Sequence, residues 1–567
     1  MQAAKVSAAV APALESRAAG SSPRGRPLRS LIRDFVVAAA GFVLLAACSL
    51  YSPLFAYFAV LAWAGAVILK APRIGIALVV FVAPVENLFA LDSELFGRIR
   101  SILLVLIALR MFAALKVSRA PILWLLAGFA VLVVAHSLQG DAGTKQVVWL
   151  MLFFLSLGAV YSLCRHFGTD RSGATLIQVA LCATAMFCGA VSFLFLFTAS
   201  PALVDFQRTL DNLRLFGVQS NPNALAKYLA VALIIMLVDA SLRRAAGLWL
   251  KVCIAGCGVL LAATGTKSAV LGVVCAVIAA ALIGNRRLVA SRRFAVVAAL
   301  AATGYLAWLL ALGPIILRHA AGEWVAQNQT NVCYYLDSDP TYMGSCRPGG
   351  GSLAQSNQSK SVQSGGQVAQ LMQYVLKREL RIDAQIAMHD RNGTTTYTPR
   401  TFGLLKIGQR DRTWEGGLKI IAQHWWWGIG GSHEWAAWMQ RTVGYPFDSP
   451  HNAILETLGG YGVLGLALYL AVIAVFIRNY VGLRNRGLTG WLREANEWTF
   501  MAGIVIFAIE MVDVLTVFGV TIHALMAWMI FGTQAGIVDA AASEGHACDQ
   551  RQPDTPVKQW LAGPTAP

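Results

Sequence analysis

Ser449-Pro450-His451-Asn452 stands at the head of an apolar run that continues to Ile477. A histidine there fixes an imidazole at the depth where a membrane helix begins. Imidazole titrates near neutrality and can take a proton from an attacking hydroxyl, so His451, with Asn452 beside it, forms a candidate catalytic pair. The same place also suits a residue that only caps the helix. Chemistry is the better account if charge-stabilising groups share that side of the membrane, and three clusters qualify. The stretch from Arg208 holds Arg214, then Asn221-Pro222-Asn223, with Lys227 one turn further on. Pro222 suits a first helical turn and Asn221 its cap, so this loop aims an anion-favouring helix N-terminus at the same side. Thr264-Gly265-Thr266-Lys267-Ser268 sets one lysine in an apolar stretch, which is costly unless it snorkels or meets an anion. Arg410-Asp411-Arg412-Thr413-Trp414 is followed by Gly428-Ile429-Gly430-Gly431. Asp448, three residues before His451, offers either a metal ligand or an orienting group for the imidazole. Capped helices and solvated arginines remain the plain alternative for these loops.

The elements that hold these groups follow from composition. With 57% hydrophobic and 13% charged residues among 567, the chain is far more apolar than a soluble globular protein and reads as a polytopic membrane protein of helices. A net charge of +17 invites a nucleic-acid reading, but Lys and Arg lie in short clusters between apolar runs, the pattern of topology determinants. No nucleic-acid partner is expected.

Residues 1–33 are rich in Ala, Ser, Pro and Arg, with little to bury, and read as a disordered cytoplasmic tail. Leu44 to Cys48 resembles a lipoprotein processing site, but a second apolar run follows at once, and the first is read as an uncleaved helix. Apolar runs of spanning length fall at about 34–51, 53–69, 74–91, 99–115, 121–138, 146–163, 174–199, 223–239, 247–263, 268–283 and 294–317. Three more, at about 452–477, 498–516 and 519–538, follow a long polar segment. The expected fold is therefore all-α with about 12–14 transmembrane helices. Its parts are a bundle over 34–317, an outer segment over 318–450, C-terminal helices over 451–538 and a cytoplasmic tail over 539–567.

The charges agree with this division. The loops assigned to the cytoplasm hold Lys70, Arg73, Lys116, Arg119, Arg165, Arg171, Arg243, Arg244, Arg286, Arg287, Arg292, Arg293, Arg478, Arg484, Arg486 and Arg493, sixteen in all. The short outer loops hold six: Arg98, Arg100, Lys145, Arg208, Arg214 and Lys267. Positive loops stay inside, so 318–450 and His451 face outward. Within that outer segment, Gly349 to Gly366 reads as a flexible linker. Apolar residues at helical spacing over Leu371 to Met388 predict a surface helix. Trp414 to Trp438 is a second such stretch, and Trp414, Trp426 and their neighbours suit either the headgroup level of a bilayer or the faces of sugar rings. Cys333 and Cys346 flank a Tyr/Asp/Pro/Gly-rich stretch outside the cytoplasm and are expected to be disulfide-bonded. No histidine spacing suggests a metal site, and no cofactor is expected.

His-Asn, nine residues, Gly-x-x-Gly and a Leu-rich helix resemble the signature of the O-antigen ligase and O-antigen polymerase superfamily of bacterial membrane glycosyltransferases. Asn221-Pro222-Asn223, the turn from Thr264 to Ser268, and Arg410 to Trp414 ahead of Gly428 and Gly430 extend the resemblance over about residues 215–480. Lys267 stands where the family usually has Arg, and both Arg410 and Arg412 precede Trp414, so the arginine assignment stays open between them. The resemblance implies a GT-C-like fold in the bacterial inner membrane with its active site facing the periplasm. It also implies metal-independent, inverting transfer of a saccharide from an undecaprenyl-diphosphate carrier to an acceptor hydroxyl. On that pattern His451 is the base, and Arg214, Asn221, Asn223, Lys267 and Arg410 or Arg412 hold the donor diphosphate. The acceptor decides the biology: lipid A-core makes a ligase, another lipid-linked glycan a polymerase in lipopolysaccharide or exopolysaccharide synthesis, and a protein serine an oligosaccharyltransferase. A lipid-linked oligosaccharide flippase is the rival from another class, but it calls for related halves and polar groups near mid-membrane, and neither is visible.

Overall fold

The computed structural model describes residues 72–82, 120–139, 144–197, 222–242, 247–312, 382–389, 395–402, 410–443, 449–519 and 522–549, with a few shorter pieces. Cys333 and Cys346, the linker, Asn221, Asp448 and most of the first two apolar runs lie outside these residues. The regular elements of the described residues are helices apart from two antiparallel strand pairs, and the chain has the architecture of an all-α, multi-pass membrane protein.

Seven of the described helices are long and apolar enough to cross a membrane. The bundle runs through α1 (Pro72–Val82), α2 (Pro121–Gln139), α3 (Thr144–Phe167) and α4 (Arg171–Phe197). A two-residue pair, β1 (Val204–Asp205) with β2 (Arg214–Leu215), precedes α5 (Pro222–Leu242). Next come α6 (Leu248–Ala263), α7 (Lys267–Leu282), the single turn α8 (Arg286–Val289) and α9 (Arg292–Ala307), which ends in a wider turn over Trp308–Leu312. Next in the chain come β3 (Ile382–His389), β4 (Thr395–Phe402), α10 (Arg410–His424) and α11 (Ser432–Val443). The chain closes with α12 (Ala453–Asn485), α13 (Gly490–Glu510) and α14 (Ile522–Asp549).

Two features fix how the bundle closes. Helix α5 is apolar on all sides, which suits a helix with no lipid-facing side, and nearly every residue from Ala224 to Ser241 is buried among α4, α6, α7, α9 and α13. Helix α14 packs along α3 through Gly532 and Gly536, where a Cβ would overlap the carbonyls of Tyr161 and Arg165. Small residues four apart let membrane helices approach to backbone contact. The same seam is fastened at one end by Arg165, whose Nε and Nη2 reach the two Asp539 oxygens at 2.6 and 2.8 Å.

Three expectations change. Ile382–His389 is a strand paired with Thr395–Phe402, Ile382 opposite Phe402, and not the end of a surface helix. Ile382, Ala384, Ile386 and Met388 alternate with Asp383, Gln385, Ala387 and His389, and Asn392-Gly393 supplies a hairpin turn signal between the strands. The apolar run at 498–516 is not one helix: α13 stops at Glu510, and residues 511–519 form an irregular loop. At the C-terminus, α14 continues to Asp549, past the expected boundary at 538.

Candidate active site

Asn452 begins α12 from an extended backbone, and its Oδ1 accepts the N–H groups of Ile454 and Leu455, each at 3.0 Å. Its Nδ2 donates to the Met511 carbonyl at 2.8 Å, tying the start of α12 to the 511–519 loop. The Asn452 amide is thus engaged in capping and tethering. His451, just before it, has φ 52°, and among the described residues no other non-glycine has a positive φ. The left-handed region costs such a residue about 1–2 kcal/mol, so something must hold it there. The Ser449 hydroxyl accepts the His451 N–H at 3.0 Å and donates to Glu456 Oε2 at 2.7 Å.

In that conformation His451 Nδ1 lies 3.7 Å from Asp513 Oδ1. The imidazole is one-third exposed, whereas Asp513 is buried. The second oxygen of Asp513 lies 3.5 Å from Lys227 Nζ, which also donates to Thr516 Oγ1 at 3.2 Å. Burial alone would raise the Asp513 carboxyl, but Lys227, His451 and the Val514 N–H together hold it well below the ordinary carboxylate range. Lys227, Asp513 and His451 therefore form a series of alternating character that runs from the core to the accessible ring.

The 511–519 loop is built to carry Asp513. Glu510 accepts the Tyr469 hydroxyl at 2.7 Å and the backbone N–H groups of Thr516 and Val517. Glu456 Oε2 accepts the Leu515 N–H at 3.1 Å, and Trp528 Nε1 donates to the Val517 carbonyl at 2.7 Å.

The structure brings together elements that are far apart in sequence. Asn223 Oδ1 accepts the Thr266 hydroxyl at 3.2 Å, joining the first turn of α5 to the turn before α7. Gly265 there has φ 61°, and Lys267 is exposed as the first residue of α7. Thr413, fully buried in the first turn of α10, donates to the Pro450 carbonyl at 3.3 Å. Arg410 is half-buried on the same turn: burial lowers its guanidinium from the usual value and the Asp513 charge acts in the opposite direction. Arg214 sits in β2 opposite Asp205, and its side chain, like that of Arg412, is outside the described residues. Trp414 is half-buried with an unpaired indole N–H, while Trp426 is 67% exposed at the tip of the α10–α11 hairpin.

The glycines act as a docking surface. The loop between α10 and α11 lies along the first turns of α12, with Ile429 N–H on the Gly459 carbonyl at 2.9 Å and Gly430 N–H on Gly460 at 2.8 Å. A Cβ at Gly428 would overlap the Gly460 carbonyl, and Gly428 and Gly430 have φ 90° and 103°. Gly462 breaks the helix with φ 67°, and a Cβ there would overlap the Trp426 carbonyl. Trp435 fills the space left by Gly459.

Sequence reading missed Asp513, Ser449 and Glu456 and did not assign Lys227 a role. Asp513 was legible only as one of two acids, with Glu510, interrupting an otherwise apolar run, a cost that demands partners. Among the described residues, no three His, Cys, Asp or Glu side chains converge as a metal-ligand group.

A membrane bundle with a partly exposed histidine facing a buried carboxylate, and cations beside them, defines a multi-pass membrane protein with a polar site at the boundary of its bundle. Residues 252–470 match the family model described as O-antigen ligase, which bears out the superfamily resemblance over that stretch. The match includes the Thr264 to Ser268 turn, α10, α11 and His451, and points to glycan transfer of the O-antigen-ligase type. It leaves out Asn223, Lys227 and Asp513. No curated protein matches the chain.

Proposed function

We propose that the protein transfers a saccharide from an undecaprenyl-diphosphate carrier to an acceptor hydroxyl, with inversion and without a metal, on the periplasmic side of the bacterial inner membrane. The observation that carries this reading is the Lys227, Asp513 and His451 series, whose histidine lies within the stretch that matches the O-antigen ligase family model. Asp513 faces Nδ1 and favours the tautomer with its proton there, leaving Nε2 free to act as the base. Nε2 takes the acceptor hydroxyl proton as that oxygen bonds the anomeric carbon. The bond from that carbon to the phosphate oxygen breaks, and its electron pair leaves with the diphosphate.

The leaving charge needs cations on the side of the site that the donor can reach. Lys227 is committed to Asp513, so the diphosphate is assigned to Lys267 and Arg410, with Arg214 and Arg412 as the further candidates from the sequence. Asn223 and Asn452 position elements: the first fixes the Thr266 turn and the second caps the base helix. The apolar bundle offers the carrier tail a place beside the site, which accounts for building sugar transfer at a membrane edge.

The test uses purified protein in nanodiscs, the lipid-linked saccharide fraction extracted from source cells, and glycan, lipid A-core and serine-peptide acceptors, with products identified by mass spectrometry. Transfer by wild type, and a hundred- to ten-thousand-fold loss in His451→Asn with donor binding retained, is the expected result; this loss corresponds to about 3 to 5 kcal/mol of transition-state stabilisation. Near-normal turnover by His451→Asn would remove the base assignment, and no transfer to any acceptor by the wild-type protein would remove the reaction.

A further inference from the structure

The left-handed conformation of His451 has a mechanical source outside the Lys227, Asp513 and His451 series. Asn452 caps α12 without help from the residue before it, so the cap does not require φ 52° at His451. The His451 N–H is instead held by the Ser449 hydroxyl, which accepts it at 3.0 Å. Ser449 is buried and passes its own proton to Glu456 Oε2 at 2.7 Å. That same oxygen accepts the Leu515 N–H at 3.1 Å, two residues from Asp513. One carboxylate oxygen therefore sets both the backbone that carries the imidazole and the loop that carries its partner. Glu456 follows the cap by four residues, and its own N–H goes to the Asn452 carbonyl at 2.8 Å, so its side chain is not spent on the helix start.

We propose that Glu456 and Ser449 are positioning residues for the base: Glu456, through Ser449 and the Leu515 N–H, holds His451 and Asp513 in register. This rests on the reading of His451 as the base. The role is geometric, so an acceptor oxygen is needed at Glu456 and a negative charge is not. Glutamine keeps a carbonyl oxygen that can receive the same two bonds. Loss of the register leaves the donor-binding cations in place, so it acts on turnover and not on donor affinity.

The experiment measures kcat and donor KM in nanodiscs, with the extracted lipid-linked saccharide fraction as donor, for Ser449→Ala, Glu456→Ala and Glu456→Gln. Each is also built in a His451→Ala background. The expected result is a kcat at least ten-fold lower in both alanine variants with donor KM within two-fold of wild type. Glu456→Gln should remain within three-fold of wild type, and no variant should lower the residual rate of His451→Ala further, because groups that act through one residue are not additive. Ser449→Ala removes a single oxygen atom and carries the test if Glu456→Ala fails to fold. Wild-type kcat in Ser449→Ala alongside an inactive His451→Ala would overturn the positioning role and leave the base standing. A further loss in the His451→Ala background would also overturn it, since the residues would then act elsewhere. An active His451→Ala would overturn the base assignment and this inference with it.

Discussion

At the scale of single residues, the buried pair of Lys227 and Asp513 decides what the site tolerates. Removing one partner of a buried ion pair strands the other charge and costs about 3–5 kcal/mol, whereas removing both can be nearly neutral. Lys227→Met should therefore lower the thermal midpoint of the purified protein more than Lys227→Met/Asp513→Asn does. Equal midpoints for the two would show that the pair is not coupled. The pH dependence follows from the carboxyl. Its value in the folded protein is depressed, so Asp513 contributes stability that is fully present above the unfolded value, about 3.9, and is lost as pH falls from there through the folded value. The midpoint difference between wild type and Asp513→Asn should be constant from about pH 7 to pH 5 and shrink below about pH 4. A difference that grows on acidification would contradict the depressed value. His451 was legible in the sequence because it breaks a pattern, a titratable ring at the head of an apolar run. Asp513 was not, because one acid among Met511, Val512, Val514 and Leu515 leaves the run apolar on average.

At the scale of elements, helices were easier to read than their breaks. A bilayer demands long apolar segments whatever the function, so α2 to α7 fall within a few residues of the expected runs, and α9 and α12 begin within two residues of theirs. The β3–β4 hairpin escaped because Ile382 and Ile386 satisfy a four-residue spacing and a two-residue alternation equally well. The family-like glycines were visible as a motif, but their purpose needed coordinates: they let the α10–α11 loop lie on the backbone of α12. Gly462→Ala tests this. Alanine there must adopt a left-handed backbone, at about 1–2 kcal/mol, and also pushes against the Trp426 carbonyl. The variant should lose thermal stability by at least that amount and lose turnover, while Gly482→Ala, in open space on the same helix, should be silent. Wild-type stability in Gly462→Ala would mean that the break in α12 is not required for docking.

At the scale of the whole molecule, the orientation proposed from charge asymmetry predicts which ends of the bundle meet which solution. Glu415 and Arg287 are both exposed and lie on α10 and α8. On a background without native cysteines, Glu415→Cys should react with an impermeant thiol reagent in cells whose outer membrane is permeabilised, and Arg287→Cys should react only after lysis. The reverse pattern would invert the proposed topology. The order of the parts along the chain has a further consequence. His451, the cap residue Asn452 and the docking loop all precede residue 470, but the carboxylate that faces the imidazole arrives with the hairpin of α13 and α14. A nascent chain thus exposes its histidine well before the last two helices have left the ribosome and entered the bilayer. Until they insert, no carboxylate faces His451 Nδ1, so on the proposed reading of His451 the site is complete only once α13 and α14 are in place.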